Sequence, residues 1–390
     1  MACMRSAARG TASHEVRTFG TTTRDLLKLV DWLTDQGCTH AAMEATGVYW
    51  KPVWHILEGH FELVLANAMH IRNVPGRKSD VNDATWIADL LAHGLIQGSF
   101  VPPEPIQNLR LLTRTRKQLT REIGQHTMRI QKILEDANIK LSSVITDTVG
   151  GTGRAILDAL IQGESDPECL ANLARGSVVR KREALIEALY GRVTDTHRIL
   201  LKTHLEQIRA LEVAISNLEA QMQQIVAPFQ PQIERLKTIP GIKDTAALVI
   251  LAEIGPDMSR FESAGHLLSW ACLCPRMDES AGKKKSNRVR SGGNNLKTTL
   301  IQASWAASRK KDGYLKAQFL RIKNRRGPKK AVGAVAASIL TAAFYILRDD
   351  VDYRDLGGDY FDRRDKAKVA TRLVNRLRDL GYEIQLQEVA

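Results

Sequence analysis

The chain has 390 residues, 44% of them hydrophobic, and a formal net charge of +13. This length and composition predict two or three domains with apolar cores and exclude a globally disordered chain. The positive charge favours a polyanionic partner, with nucleic acid ahead of a membrane surface. We count no apolar run of about 18 residues and no secretory leader, so a cytoplasmic protein without a membrane partner is expected.

The first hundred residues alternate between strand-like and helix-like patterns. Residues 1–14 contain no acid and show no strand pattern. Further on, the predicted elements are strands at Glu15 to Phe19, Thr39 to Ala45 and Phe61 to Ala66, and helices starting after Thr21 or Thr22 and from Val81 to His93. Strands that alternate with helices predict an α/β layer fold for residues 1–101.

Two long heptad runs fill residues 102–230. Leu201, Ile208, Ile215 and Met222 recur every seven residues, and a second row lies three residues further along. Such paired rows predict coiled-coil helices, and an earlier run starting at Leu109 has the same spacing. The two runs could pair within one chain as a hairpin or between two chains as a dimer contact, and the periodicity leaves both open.

Residues 231–348 are predicted to be helical with glycine-rich turns. A Pro240-Gly241 turn between two apolar runs is typical of a helix-hairpin-helix unit, which binds nucleic-acid backbone through its loop amides, although any two packed helices can carry such a turn. The charged, amphipathic tail at residues 349–390 has no assigned role.

A basic block runs from Lys283 to Lys330. It contains sixteen Lys or Arg and a single acid, Asp312, which makes its local charge of +15 larger than that of the whole chain. Apolar helical runs interleave with these cations, so a folded nucleic-acid surface is expected rather than a disordered tail. The candidate contact residues are Lys283, Lys284, Lys285, Arg288, Arg290, Asn294 and Lys297.

Three acids lie in positions that favour a metal site. Glu44 ends an apolar strand, where a buried carboxylate needs a partner or a metal. Asp80 and Asp83 are three residues apart at a predicted helix start and therefore share a face. Carboxylate oxygens are ligands that Mg²⁺ prefers. The alternatives are a helix N-cap at Asp80 and a solvated first-turn acid at Asp83.

Seven short stretches together resemble the DEDD transposases of the Piv/MooV type, which include bridge-RNA-guided insertion-sequence serine recombinases. They lie in the family's order over roughly residues 15–348: Met43 to Trp50, Gly76 to Ala84, Thr238 to Ile242, Ala252 to Gly255, Arg260-Phe261, Glu279 to Lys283 and Gly293 to Lys297. The resemblance implies a RuvC-like, RNase H-type domain at 1–101, a coiled-coil linker at 102–230 and a helical transposase domain at 231–348.

The resemblance also implies the catalytic groups. Glu44, Asp80 and Asp83 match three of the family's four Mg²⁺-binding acids. The fourth lies on an opening strand that has no counterpart here, so this strand is expected to be missing. Ser280 matches the family's nucleophilic serine, with Ser286 and Ser291 in reserve. One departure is Ala281, which stands where many relatives carry a serine directly before the glycine.

The expected function is therefore that of an insertion-sequence transposase that cuts and rejoins target and donor DNA, with a bridge RNA as guide. A homodimer or tetramer is expected, since recombination of two duplexes needs several active sites. Two alternatives remain open. One is a metal-dependent RuvC-like nuclease without a covalent intermediate, and the other is an inactive nucleic-acid-binding protein.

Overall fold

A computed structural model of the chain describes residues 1–8, 11–66, 71, 80–96, 98–275, 278–280, 282–286, 288–289, 292 and 294–384. Only the backbone is described for residues 7, 8, 11, 80–82, 278–280, 284–286 and 294. The chain divides into two compact units, Met1–Pro102 and Pro103–Ala390. The first unit combines strands and helices, and the second is mostly helical.

The first unit contains two separate two-stranded sheets. Its elements are β1 (Ala2–Ala8), β2 (Thr11–Arg17), α1 (Thr23–Asp35), β3 (His40–Glu44), α2 (Trp50–Leu57), β4 (Glu62–Ala66) and α3 (Asp80–Ala92). Strands β1 and β2 are antiparallel, whereas β3 and β4 are parallel with Glu44 opposite Ala66. The predicted α/β order is confirmed for this unit.

Helix α1 provides most of the core of the first unit. Its buried residues lie at helical spacing, and they pack with residues of β1 and α2: Met4, Leu26, Leu29, Val30, Trp32, Leu33 and Leu57. The Thr22 hydroxyl accepts a hydrogen bond from the Asp25 amide at 3.3 Å, which confirms the predicted cap.

The expectation that residues 1–14 contain no strand is wrong. Residues 2–8 pair in register with residues 11–17, and Met4 is buried in the core. Alanine, serine and arginine carry little intrinsic strand preference, so local sequence gives no signal here. The cross-strand pairing and the burial of one face decide the conformation.

The second unit is built on two long helices, α4 (Glu104–Asp136) and α9 (Asp195–Val226). They pack antiparallel within the chain, since Arg116 Nε lies 2.7 Å from Glu219 Oε1 and His126 Nδ1 lies 3.1 Å from His204 Nδ1. Of the two pairings that the heptads allowed, the structure therefore has the one within a single chain.

Shorter helices cover both ends of this pair. At one end lie α5 (Leu141–Val144), α6 (Gly151–Ile161), α7 (Pro167–Ala171), a 3₁₀ turn (Gly176–Lys181) and α8 (Arg182–Leu189). Apolar residues of these helices form one core with the facing ends of α4 and α9, including Ile130, Leu157, Leu170, Leu185 and Leu205.

The other end carries the C-terminal helices. After a 3₁₀ turn (Ala227–Phe229) these are α10 (Gln230–Lys237), α11 (Asp244–Ile254), a 3₁₀ turn (Met258–Arg260), α12 (Ala264–Trp270), α13 (Asn294–Ala307), α14 (Tyr314–Arg326), α15 (Pro328–Asp349), α16 (Tyr360–Arg364) and α17 (Lys366–Asp379). Gly241, at φ +88°, lies so close to α13 that a Cβ would stand 2.3 Å from the Ala303 carbonyl oxygen.

Two expectations for this region are corrected. A hairpin of β5 (Asp278–Ser280) and β6 (Lys283–Ser286) interrupts the stretch predicted to be all-helical. Its two-residue connection contains Gly282 at φ +74°, a conformation that favours glycine and tight hairpins.

Helix α15 is long and apolar enough to cross a membrane by length and composition, contrary to the expectation that the chain has no such run. More than half of its most apolar window is buried inside the unit, as in a core helix of a soluble fold.

Candidate functional site

Glu44 is the last residue of β3, and its side chain is half-buried. The Thr46 hydroxyl donates a hydrogen bond to Glu44 Oε1 at 2.9 Å, and the Ala45 amide donates to the Ala66 carbonyl at 2.9 Å. No Lys, Arg or His side chain described in the structure forms an ion pair with this carboxylate. Glu44 is thus held at the end of a parallel strand with one neutral hydrogen-bond donor.

A cavity of about 830 Å³ lies beside this strand end. Its lining includes Glu44, Thr46 and Tyr49 together with Ala84 and Ile87 of α3, whereas Asp83 is not one of its lining residues. Asp80 is the first residue of α3, and Asp83, one turn further, has a half-buried side chain. The strand that ends at Glu44 and the helix that begins at Asp80 therefore border the same cavity.

The donors of this region are carboxylate oxygens, which suit a hard divalent cation. Among the side chains that the structure describes, no group of three or more His, Cys, Asp or Glu is placed to hold a metal ion. The Asp80 side chain lies outside the described side chains, so a site formed by all three acids stays a prediction. Glu44 and Asp83 would be the described ligands.

Asp89, on α3, forms ion pairs that were not predicted from the sequence. Asp89 Oδ1 lies 2.8 Å from Arg5 Nε on β1 and 2.8 Å from His14 Nε2 on β2. Partial burial raises the pKa of Asp89, but hydrogen bonds from His14 and Arg5 outweigh it and lower the pKa overall. These contacts attach the β1–β2 hairpin to α3. Sequence could not reveal them because the partners lie 84 and 75 residues away.

Ser280 is the last residue of β5, directly before the tight turn of the hairpin. Its backbone is opposite Lys283 in the register, and Glu279 is opposite Lys284. An isolated bridge between Pro275 and Val289 extends the hairpin at its base. The predicted nucleophile therefore lies on a strand at the hairpin tip. Only the backbone of Ser280 is described, and the alternative nucleophile Ser291 lies outside the described residues.

The predicted nucleic-acid contacts surround this hairpin in the chain. The side chains of Lys283 and Arg288 are exposed, and Lys297, on α13, is half-buried. Lys284, Lys285 and Asn294 are described by backbone alone, and Arg290 lies outside the described residues. Further exposed cations of the same basic block surround the junction of α14 and α15: Arg321, Lys323, Arg325, Arg326, Lys329 and Lys330.

A buried ion-pair cluster connects α4 to α11. Glu253 is 4% exposed, and Arg114 donates to both of its carboxylate oxygens at 2.9 and 2.8 Å. Arg110 donates to the backbone carbonyls of Ala252 and Glu253 at 3.0 and 2.7 Å and so caps the end of α11. Burial lowers the pKa of Arg110, whereas the nearby Glu253 charge raises it. This acid is neutralised within the protein and is not available as a ligand.

Two models of protein families match separate parts of this chain. A family model for DEDD transposases of the IS110 type matches residues 2–139, which include Glu44, Asp80, Asp83 and all of α4. A second model, described as the transposase IS116/IS110/IS902 family, matches residues 233–320, which include Ser280 and its hairpin. No curated protein matches the chain.

Both matched models describe domains of transposases, which are enzymes that act on DNA. The chain carries an IS110-type DEDD transposase domain followed by a transposase domain of the IS116/IS110/IS902 family. The predicted resemblance to DEDD transposases is therefore confirmed, whereas the Piv/MooV type, the serine nucleophile and the bridge RNA stay predictions.

Proposed function

We propose that this protein is the transposase of an insertion sequence, a recombinase that cuts target and donor DNA and rejoins the strands. The observation that carries the proposal is the presence of both transposase domains, in order, in one chain. The exposed cations of the basic block support contact with nucleic-acid phosphates. A non-coding bridge RNA is the proposed guide, and the cytoplasm is the proposed location.

The proposed reaction begins at Ser280. Its Oγ attacks a DNA phosphorus atom, a new P–Oγ bond forms, and the P–O bond to the adjoining nucleotide breaks. The proton of the serine hydroxyl ends on the released DNA hydroxyl. Lys283, opposite Ser280 in the hairpin, supplies positive charge for the extra negative charge on the phosphate in the transition state.

Rejoining is the same exchange with a different hydroxyl. The free hydroxyl of a second DNA strand attacks the phosphoserine, the P–Oγ bond breaks, and Ser280 regains its proton. No high-energy cofactor is needed, because one phosphodiester bond is conserved in the phosphoserine link.

The acids of the first unit have a separate proposed role. Glu44, Asp80 and Asp83 would hold Mg²⁺, which when bound supplies positive charge to align and polarise a phosphate. Glu44 suits this role because its only described partner is the neutral Thr46 hydroxyl. A homodimer or tetramer on DNA would bring several such sets of residues to two duplexes.

A covalent-capture experiment tests the proposal. The full chain is incubated with end-labelled target and donor DNA, guide RNA and Mg²⁺, and the products are separated under denaturing conditions. We expect a protein–DNA adduct that is absent from Ser280→Ala and retained in Ser286→Ala. Loss of the adduct only in Ser286→Ala would assign the nucleophile to that serine.

Two other outcomes favour the alternatives. Mg²⁺-dependent cleavage without any adduct would support a RuvC-like nuclease that uses water. Binding of DNA or RNA with neither cleavage nor adduct would support an inactive nucleic-acid-binding protein.

A further inference from the structure

The loop between β3 and α2 carries two exposed apolar side chains. Val48 is 65% exposed and Tyr49 is 80% exposed, the largest fraction among the big apolar side chains that the structure describes. The aromatic residues that follow are packed, since Trp54 is buried and its ring lies 5.8 Å from that of Trp50 in an edge-to-face pair. A single exposed apolar side chain is ordinary, but neighbouring ones favour a contact surface.

Gly47 positions the Tyr49 ring. Its φ of +57° is a left-handed conformation that favours glycine, and a Cβ at Gly47 would stand 3.5 Å from both Cδ2 and Cε2 of Tyr49. One edge of the ring therefore lies beside the Gly47 backbone, while most of the ring surface stays open to solvent. Within the described part of the chain, the Tyr49 side chain forms no ring contact, cation–π contact or hydrogen bond.

Tyr49 lines the same cavity as Glu44 and Thr46. The cavity volume of about 830 Å³ is in the range of small-molecule sites, so it can hold a nucleoside-sized group. Most of the other lining residues are apolar, among them Met43 and Val53. An apolar wall with an open aromatic ring suits the flat face of a nucleobase, and Glu44 lies within the same space.

An aromatic ring can stack only on a base whose face is open. Bases inside a duplex are stacked on their neighbours, so the available base is unpaired or turned out of the stack. Such stacking tolerates any sequence, because every base has a π-face. A DNA phosphate held at Glu44 would bring the adjoining base to Tyr49, which lies five residues further along the chain and borders the same cavity.

We propose that Tyr49 stacks on an unpaired base of the DNA strand, next to the phosphate held at Glu44. The ring would fix the strand beside the candidate metal ligands. The inference rests on the proposed function, because it is that function which brings a DNA strand to Glu44. It assigns Tyr49 to binding and positioning of the strand and gives it no part in the exchange of bonds.

Equilibrium binding tests the stacking without strand cleavage. The full chain with Ser280→Ala, which lacks the proposed nucleophile, is titrated into a labelled DNA duplex with a central unpaired thymidine segment, and anisotropy is followed. Adding Tyr49→Ala should raise the Kd by about fivefold to 150-fold, the range for loss of one base–aromatic stack. Tyr49→Phe should bind like the parent, because stacking needs the ring and not the hydroxyl.

A matched control and a stability measurement exclude a general effect of removing an aromatic ring. Tyr190→Ala should bind like the parent, since Tyr190 is 78% exposed but lies at the end of α8 in the helical unit. The unfolding temperature of Tyr49→Ala should equal that of the parent, because the ring is exposed. Equal Kd values of Tyr49→Ala and the parent on thymidine DNA would overturn the proposal.

A DNA without bases separates stacking from contact with the strand backbone. The unpaired thymidines are replaced by abasic nucleotides, which keep the phosphates and sugars. On this DNA the parent and Tyr49→Ala should bind equally, since the two losses remove the same contact and do not add. A Tyr49→Ala effect of the same size on abasic DNA would show a contact with sugar or phosphate and would overturn the stacking.

Failure of this inference and failure of the proposed function give different results. The proposed strand exchange fails if no protein–DNA adduct forms, and the binding measurements need no adduct. Equal affinities of Tyr49→Ala and its parent, in a protein whose wild type forms the adduct, would overturn the stacking alone. An effect of Tyr49→Ala confined to an RNA with the same unpaired segment would assign the ring to RNA and contradict the proposal. Absence of any DNA binding by the parent would overturn both.

Discussion

Glu44 and Glu253 look alike in the sequence and differ in the structure. Each follows an apolar run, Ala41 to Met43 in one case and Ile250 to Ala252 in the other. Glu253 is buried and receives two hydrogen bonds from Arg114, whereas Glu44 is half-buried and receives one from Thr46. The charge of Glu253 is neutralised by Arg114, whereas the described residues around Glu44 leave its charge unpaired.

The difference shows how a structural acid can be distinguished from a candidate ligand. A carboxylate paired with arginine contributes to the attachment of helices and has no free charge for a cation. A carboxylate that lines a cavity with only a neutral donor keeps its charge for an external partner. The same comparison applies to cations: Arg110 and Arg114 are engaged with Glu253 and its helix end, whereas Lys283 is exposed.

The largest effect on stability is expected from Glu253→Ala. This change leaves two arginines without their buried partner and should lower the free energy of unfolding by about 3–5 kcal/mol. Denaturant unfolding of the helical unit, followed by far-ultraviolet circular dichroism, measures the loss. Asp158→Asn is the control, since its pair with Arg209 is half-exposed and should contribute less than about 1 kcal/mol. Equal losses in the two variants would show that the burial of Glu253 adds nothing to the strength of its ion pair.

Glu44→Gln should lower the rate of strand cleavage and leave the stability almost unchanged. The free energy of unfolding should change by less than about 0.5 kcal/mol, because no ion pair is removed. Strand cleavage should fall by about a hundredfold to a thousandfold, the scale of removing one group that stabilises the transition state. Asp83→Asn is expected to behave similarly, and single-turnover cleavage of labelled DNA is the measurement. Cleavage at the wild-type rate in Glu44→Gln would show that this acid holds no essential cation.

A smaller effect is expected from the basic hairpin. The triple change of Lys283, Lys284 and Lys285 to Ala should reduce the slope of log binding constant against log salt by about one unit for each phosphate that is no longer neutralised. Titration of labelled DNA at several salt concentrations measures the slope. Lys202→Ala, at an exposed site on α9, is the control. If the triple variant keeps the wild-type slope, the hairpin does not bind phosphates.

The smallest effect concerns Asp89, an acid that is paired but partly exposed. Its pKa is lower in the folded than in the unfolded chain, so its contribution is present above the unfolded value of 3.8 and disappears as pH falls through the folded value. We expect less than about 1 kcal/mol, because solvent screens the pair. Unfolding of wild type and Asp89→Asn between pH 7 and pH 3 should show a smaller acid-dependent loss in the variant. Identical pH curves would mean that the pairs with Arg5 and His14 do not stabilise the unit.

The sequence by itself determined the features that depend on neighbours in the chain. The cap at Thr22 and the strands that end close to Glu44 and at Ala66 follow from local spacing and turn chemistry. The two transposase domains were also recognisable, since their motifs are short, contiguous and ordered.

Tertiary structure decided the features that depend on distant partners. The heptads allowed two pairings of the long helices, and only folding placed His126 against His204. The ion pair of Arg114 with Glu253 joins residues that are 139 positions apart in the chain. Local periodicity specifies which face of an element is apolar. It does not specify which distant side chain will meet a given charge, and that pairing separates a structural acid from one that is free to bind.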